Sequence, residues 1–239
     1  MGRHLCLLLL IIPVFSQSAP INTCFDANHS WSQVKPVINQ SGKGRKWVQE
    51  NWEPSIRCLF EKRIGKIGDG GKHICDPDCL LKSYPNCTVF SIGSNNDFSF
   101  EIAIKPYCDH IHTFDHTVNH PTPPNGVIFH KWGVGKYPHK NFKNLLRLTN
   151  VKFVHILKVD IEGFEYDFFT RPQIEFMKST VQQIILEMHI NVQPIKKTIQ
   201  LVNELTDAGF YPFSKEPNIQ FSNGECFEIS LININKNFR

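Results

Sequence analysis

The hydrophobic pattern of the second half of the chain alternates between short apolar runs and amphipathic stretches. The short runs are typical of buried strands. We interpret seven of them as strands, at residues 88–93, 111–115, 126–132, 155–160, 183–189, 210–214 and 226–234. Strands that alternate with helices predict a mostly parallel sheet with helices on both faces.

Helical patterns lie between most of these runs. Helices are predicted at residues 98–105, at 141–148, from Glu165 onward and at 195–208. Asp97 can cap the first of these helices, and Pro106 ends it. The last two strands are joined by a turn without a helix, so they must pair antiparallel. The sequence therefore predicts an α/β domain whose seven-stranded, mostly parallel sheet ends in a C-terminal antiparallel hairpin.

The first 83 residues lack this alternation. Arg3 and His4 precede an apolar run at 5–15 that small residues follow, which predicts a signal peptide at residues 1–18. The apolar run is shorter than the roughly 20 residues that a membrane-spanning helix needs. Cleavage is therefore favoured over a retained anchor.

Residues 19–83 are expected to form a cysteine-bearing extension ahead of the α/β domain at 84–239. Weak periodicity and a glycine-rich stretch predict a short helical or irregular cap. Pro54 requires any helix here to start at that residue or break. The candidate helical face comprises Trp47, Trp52, Ile56, Leu59 and Phe60.

The number of cysteines indicates the redox environment of the protein. Removal of the leader leaves an odd number of cysteines, which fits three disulfides and one free thiol in an oxidising environment. These cysteines are Cys24, Cys58, Cys75, Cys79, Cys87, Cys108 and Cys226. N-glycosylation sequons begin at Asn28, Asn39 and Asn86. The sequence therefore predicts a secreted or lumenal glycoprotein with disulfide bonds.

Two cysteine pairs allow more specific hypotheses. Cys87 and Cys108 precede the first and second strands, which begin at the same edge of the sheet. Their Cα atoms can therefore lie within the roughly 4.4–6.8 Å that a disulfide needs, with two unpaired thiols as the alternative. The spacing of Cys75 and Cys79 resembles half a zinc site, but no second pair follows, so the disulfide interpretation is favoured.

The charge pattern excludes one class of function. The 239 residues carry a formal net charge of +4, and Lys and Arg are interspersed with Asp and Glu. The electrostatic footprint of a nucleic-acid-binding protein is therefore absent. The expected partner is a small molecule, a glycan or a lipid, with no stable membrane span after leader cleavage.

Residues that can bind a ligand fall at the carboxyl ends of the predicted strands, where open α/β sheets bind their ligands. Gly93 and Asn95 form a turn that lets the backbone approach a ligand. Asp115 is placed to accept hydrogen bonds from both ribose hydroxyls of a nucleoside. The indole of Trp132 can cover an adenine face, or it can pack in the core. The turn lacks the further glycines of a dinucleotide fingerprint, which disfavours pyrophosphate binding.

The fourth and fifth strands bring acids to the same edge. The carboxylates of Asp160, Glu162 and Glu165 are expected to lie close together, which is costly unless a cation is present. We therefore expect Asp160 and Glu162 to face the ligand. His189 is a candidate catalytic base, with Glu187 beside it, and a purely structural histidine is the alternative. Metal assistance through Asp160 and Glu187 lacks a distinctive ligand spacing, so no metal site is predicted.

These motifs together resemble a known family. Residues 158–165 (KVDIEGFE) look like the K-x-D-x-E-G-x-E signature of FkbM-type methyltransferases. Residues 68–72 (GDGGK) and 90–101 (FSIGSNNDFSFE) resemble more closely the animal methyltransferase-like protein 24 group. The resemblance implies a class I (Rossmann-like) methyltransferase fold, S-adenosylmethionine as cofactor, and methylation of oxygen at a lumenal or secreted address.

The resemblance also implies a cofactor site. Carried over residue by residue, it comprises Gly93, Asn95, Asp115 and Asp160, with Asp69 contributing from the preceding loop. Trp132 and Glu162 complete the predicted set. Asp160 and Glu162 suit the sulfonium and ammonium of S-adenosylmethionine, because both groups are cations. The expected activity is methyl transfer to a glycan, a lipid or a small metabolite.

Two other classes of function are weighed against this one. The first is a secreted binding or signalling protein that keeps the fold without the chemistry. The second is a nucleotide-sugar or dinucleotide enzyme, against which the missing glycines and the terminal hairpin weigh.

Overall fold

The computed structural model describes residues 53–68, 70–82, 84–136, 138–190, 193–218 and 226–235. The predicted signal peptide, Cys24, the sequons at Asn28 and Asn39, and Trp47 and Trp52 lie outside the described residues. Within the described part of the chain, no helix is both long enough and apolar enough to span a membrane.

The described elements follow the alternation that the sequence predicts. Two strands, β1 (Glu61–Ile64) and β2 (Lys72–Cys75), and the short helix α1 (Pro77–Leu80) come first. The elements of the main domain are β3 (Thr88–Ile92), α2 (Ser99–Ile104), β4 (His110–Phe114), β5 (Val127–His130), α3 (Phe142–Thr149), β6 (Val154–Val159), α4 (Glu165–Phe168), α5 (Arg171–Met177), β7 (Val181–His189), α6 (Ile195–Asp207), β8 (Phe210–Pro217) and β9 (Cys226–Asn233).

The main domain is built on one seven-stranded sheet in the order β5-β4-β3-β6-β7-β9-β8. The five strands from β5 to β7 are parallel, and β9 is antiparallel to both of its neighbours. The prediction of a mostly parallel sheet with a C-terminal antiparallel hairpin is confirmed. The chain leaves β3 towards β4 on one side and returns to β6 on the other, so the switch point for a ligand lies between β3 and β6.

The core covers both faces of the sheet. All residues of β6 and β7 are buried, as expected for central parallel strands. Along β7, Ile184 and Leu186 join the larger hydrophobic cluster on one face, and Ile185 joins a second cluster on the other. Helix α6 buries Leu201, Val202 and Leu205 on the first face, which gives the helical spacing seen in the sequence.

The extension before the main domain differs from the prediction. The strands β1 and β2 form an antiparallel pair where a helical or irregular cap was expected. Leu59 and Phe60 are exposed while Ile56 is buried, so the proposed helical face does not form. Gly65, Gly68 and Gly70 have positive φ between the two strands, which explains why a glycine-rich stretch connects a hairpin here.

This hairpin docks against the antiparallel part of the main sheet. The side-chain amide of Gln183 on β7 donates to the carbonyl oxygen of Cys75 and accepts from its N–H, at 3.1 and 2.9 Å. Ser230 on β9 donates to the carbonyl oxygen of His73 at 2.9 Å. The extension is therefore fixed beside the strands that carry the predicted catalytic residues.

Disulfides hold both parts of the chain. Cys87 and Cys108 are bonded with Cα atoms 4.8 Å apart, which confirms the pairing predicted from the strand starts. Cys58 is bonded to Cys75, and Cys79 is disulfide-bonded as well, so the disulfide interpretation of the Cys75 and Cys79 spacing is also confirmed. Among the described cysteines, Cys226 is the free thiol, and it is buried.

Candidate functional site

A cavity of about 490 Å³ opens outside the carboxyl ends of β3, β4, β5 and β6. Six of the seven residues predicted to bind a cofactor line it, and Asp69, the seventh, lies outside the described residues. The six are Gly93, Asn95, Asp115, Trp132, Asp160 and Glu162. The structure thus brings the predicted set together at the switch point, and their role in binding stays a prediction.

Gly93 forms the floor of the cavity after β3. Its φ is +79°, and a Cβ atom added there would lie 1.6 Å from the carbonyl oxygen of Asp160. The following residues Asn95 and Asn96 also have positive φ. Only glycine allows β3 and β6 to approach this closely, and the resulting turn exposes backbone to the cavity.

Asp115 holds this turn from the end of β4. Its Oδ2 accepts hydrogen bonds from the backbone N–H groups of Ser94 and Asn95, at 3.0 and 2.9 Å. Its Oδ1 accepts from the N–H and the hydroxyl of Thr117, at 2.9 and 2.6 Å. Burial alone would raise the pKa of Asp115, but these hydrogen bonds outweigh it and lower the pKa. The carboxylate is therefore ionised at neutral pH and acts only as a hydrogen-bond acceptor.

Stacked rings form the wall on the β4 and β5 side. The rings of Phe114 and His130 lie 4.9 Å apart at 14°, and those of His130 and Trp132 lie 4.4 Å apart. Trp132 packs against the larger core cluster, which confirms core packing, and it also lines the cavity, while its contact with an adenine stays a prediction. The ring of His112 stacks on His130 but does not line the cavity, and burial together with the neighbouring His130 lowers its pKa to about 4, so that ring is uncharged at neutral pH.

The opposite side of the cavity is acidic. After Asp160 the chain turns through Glu162 and Gly163, both at positive φ. Glu165 is fully buried, and its Oε1 accepts hydrogen bonds from the N–H groups of Ile161 and Gly163, at 3.1 and 3.2 Å. This carboxylate therefore shapes the turn and does not line the cavity.

His189 and Glu187 lie on β7 behind this turn, and neither lines the cavity. Nδ1 of His189 donates to Glu165 Oε1 at 2.9 Å, and its Nε2 lies 3.3 Å from Glu162 Oε2. Burial would lower the pKa of His189, but the hydrogen bond to Glu165 and the charges of the surrounding acids raise it to about 9. A protonated imidazole cannot remove a proton, so this arrangement argues against His189 as the base, a role that stays untested.

The environment of Glu187 is also unusual. Burial raises its pKa to about 8, and the charges of Asp160 and Glu228 add to that shift. Asn218 donates to Glu187 Oε1 at 2.9 Å, and the ammonium of Lys72 lies 4.0 Å from its Oε2. The predicted catalytic pair is thus embedded in a network of ionisable groups at the end of β7.

Lys72 and Lys158 contact residues of the site, although the strand pattern does not indicate a function for them. Lys72 on β2 is buried and forms an ion pair with Glu228 on β9. Lys158 on β6 donates to the carbonyl oxygen of Gly93 at 2.9 Å. Both residues belong to the motifs that carry the family resemblance, which was the available signal. Their side-chain positions tie the extension and the glycine turn to the acidic strands.

Comparison with known proteins gives a family. The family model described as a methyltransferase domain matches residues 22–233. A search of curated protein sequences gave no match. The finer resemblance to FkbM-type and methyltransferase-like protein 24 sequences stays a prediction.

Two solved structures with some similarity to this chain have distant sequences. The fibrillarin pre-rRNA processing protein of Methanococcus jannaschii is 12% identical, with a TM-score of 0.42, covering 81% of this chain and 86% of that one. The N-methyltransferase NodS of Bradyrhizobium japonicum WM9 is 12% identical, with a TM-score of 0.42, covering 64% and 89%.

Proposed function

The chain belongs to a methyltransferase-domain family, and on that premise we propose that it transfers a methyl group from S-adenosylmethionine to an oxygen of a glycan, a lipid or a small metabolite. The reaction would take place in the secretory pathway or outside the cell. The observation that carries this proposal is the convergence of the Gly93 turn, the Asp115 carboxylate and the Trp132 ring on one cavity.

The cavity offers a complementary group for each part of the methyl donor. The ring of Trp132 provides a face for adenine, and Asp115 provides an acceptor for the ribose hydroxyls. The Gly93 turn lets the backbone approach the methionine part, and Asp160 lies beside it for the ammonium. The volume of about 490 Å³ lies in the range typical of small-molecule sites.

The chemistry needs mainly alignment of the acceptor oxygen, the methyl carbon and the sulfur. Removal of the acceptor proton is a secondary help. His116 and His139 both line the cavity, with ring centroids 5.1 Å apart. These two histidines are therefore better placed than His189 to take a proton from an acceptor in the cavity.

The cysteine chemistry supports the proposed compartment. The pairs Cys58–Cys75 and Cys87–Cys108 are bonded, and such disulfides persist in oxidising environments. Asn86, which begins the third sequon, is exposed and so accessible to glycosylation. The leader predicted at residues 1–18 would deliver the chain to that compartment.

Calorimetric titration of the purified full chain with S-adenosylmethionine and S-adenosylhomocysteine tests the proposal. We expect binding of both, weakened about 10- to 100-fold in Asp115→Asn, because a charge-assisted hydrogen bond contributes about 1.5–3 kcal/mol. The exposed Asp109 gives the control Asp109→Asn, which should bind as the unaltered chain does. Absence of binding by the folded chain would overturn the proposal and favour a binding or signalling protein that has kept the fold.

A further inference from the structure

The end of β7 and the start of β9 hold a second group of polar side chains behind the cavity. Glu187 and His189 lie on one face of β7, and Cys226 lies directly opposite His189 in the antiparallel register. All three side chains are buried. One ligand atom from each of them lies within 4.8 Å of the other two, a spacing that a single metal ion can bridge.

His189 is held in the orientation that metal-binding histidines have. The fully buried Glu165 accepts a hydrogen bond from its Nδ1, which fixes the tautomer and leaves Nε2 as the nitrogen that can coordinate. A carboxylate that orients the far nitrogen of a histidine is the usual partner of a metal ligand. Glu165 Oε2 has no hydrogen-bond partner among the described residues, so the carboxylate serves this ring and the adjacent turn alone.

The charges around these residues leave room for a cation. The carboxyl groups at this location are those of Asp160, Glu162, Glu165, Glu187 and Glu228. The positive groups among them are Lys72, Lys158 and His189. Carboxyl groups thus outnumber cations here, and Glu165 and Glu187 among them are buried, where unpaired charge is costly.

We propose that Glu187, His189 and Cys226 form a binding site for a zinc-class divalent cation. A thiolate, an imidazole and a carboxylate are the donors that Zn²⁺ takes, whereas Mg²⁺ and Ca²⁺ take oxygen ligands. On binding, the Cys226 thiol, Nε2 of the protonated His189 imidazole and the protonated Glu187 carboxyl each release a proton to solvent, so that a thiolate, a neutral imidazole and a carboxylate coordinate the ion. The site also gives a role to the cysteine that is left unpaired among the described disulfides.

Three protein ligands leave one position of a tetrahedral ion open, the arrangement of catalytic and not of structural zinc sites. The proposed site lies beside the cavity. Asp160 and Glu162 line that cavity, and their ligand atoms lie within 4.8 Å of a ligand atom of His189. An acceptor hydroxyl that reached this position would be polarised by the ion.

Titration of the metal-free full chain with cobalt(II) tests the site without any methyl donor present, so its outcome is independent of the methyltransferase proposal. We expect one equivalent to bind with the sulfur-to-cobalt charge-transfer absorption of a thiolate ligand, and Zn²⁺ to displace it. Cys226→Ser should abolish that absorption. Glu165→Gln, which loosens the hold on His189 and on the adjacent turn without removing a ligand, should weaken binding about 10- to 100-fold while keeping the absorption.

His155→Gln is the matched control, since it replaces a buried histidine at the opposite edge of the sheet and should leave cobalt binding unchanged. Thermal unfolding of each metal-free variant verifies that it folds. Should Cys226→Ser not fold, His189→Gln takes its place, with loss of binding expected. Absence of the charge-transfer absorption in the unaltered chain, or its persistence in folded Cys226→Ser, would overturn the proposal.

Discussion

The two halves of the sheet's carboxyl edge differ in how their charged groups are partnered. On the β3, β4 and β5 side, Asp115 accepts four hydrogen bonds and shares the cavity with the rings of Phe114 and Trp132. On the β6, β7 and β9 side, carboxyls crowd together, and one oxygen each of Glu165 and Glu228 has no partner among the described residues. The first half is a preformed binding surface, whereas the second is short of positive charge.

This contrast has a physical consequence for how each half works. A surface whose carboxylate already accepts several hydrogen bonds binds a ligand by shape, stacking and exchange of a few of those bonds. A crowded acidic surface gains most from a cation, because the cation relieves repulsion that burial has made costly. The sulfonium and ammonium of the proposed donor, or the proposed metal ion, would meet that need from either side of Asp160.

The largest expected loss of stability comes from Gly93, where β3 and β6 are in close contact. Gly93→Ala should destabilise the fold by about 4 kcal/mol or more, because its Cβ would collide with the backbone of Asp160 at 1.6 Å. Gly68 also has positive φ, but an added Cβ meets no atom within 4 Å, so Gly68→Ala should cost only about 1–2 kcal/mol. Urea denaturation of both variants measures the difference, and equal losses would contradict the close contact.

The rings packed along β4 and β5 should make the fold less stable at acid pH. His112 has a folded pKa of about 4, below its usual value of 6.5, so its contribution to stability is present above pH 6.5 and is lost as the pH falls towards 4. This loss amounts to at most about 3 kcal/mol. His112→Gln should flatten the fall in unfolding free energy between pH 6.5 and 4, measured by urea denaturation. The exposed His120→Gln is the control, and an unchanged slope in His112→Gln would contradict this account.

Glu165 tests the acidic half at neutral pH. Glu165→Gln should lower the free energy of unfolding by about 2 kcal/mol, since a buried charged acceptor of two backbone N–H groups and of His189 becomes neutral. The exposed Glu175 gives the control Glu175→Gln, for which we expect a change within about 0.5 kcal/mol. Chemical denaturation gives both values, and a neutral or stabilising Glu165→Gln would show that repulsion outweighs these bonds.

The acidic half should respond to pH in the opposite direction. The folded pKa of His189 is raised to about 9, so its stabilising contribution is complete below pH 6.5 and is lost as the pH rises towards 9. In the presence of a chelator, the melting temperature of the unaltered chain should fall over this range, and that of His189→Gln should fall less. Parallel curves for the two proteins would contradict the raised pKa.

The sequence predicted the main fold because each strand of the parallel sheet is a continuous apolar run. The hairpin of the extension was missed because its two strands have four residues each and include the charged residues Glu61, Arg63 and Lys72. Their pairing depends on a glycine-rich connection and on contacts to β7 and β9, which no local pattern reveals.

The candidate site divides in the same way. Gly93, Asp115 and Asp160 could be predicted because each directly follows a strand, where topology alone fixes the position. The hydrogen bond between Glu165 and His189, and the ion pair of Lys72 with Glu228, join residues that are 24 and 156 positions apart. Such contacts depend on side-chain packing, so the sequence suggested a free base at His189 where the structure has a histidine held by a buried acid.

The most direct test of the central claim is hydrogen–deuterium exchange of the full chain with and without S-adenosylhomocysteine. The account predicts added protection at residues 93–97 and 115–117 and around Trp132, which line the cavity at the carboxyl edge. A second cavity, at the opposite edge beside Tyr84, Asn150 and His155, should show no change and serves as an internal control. Protection confined to that second cavity, or none at either edge, would contradict the assignment of the methyl-donor site.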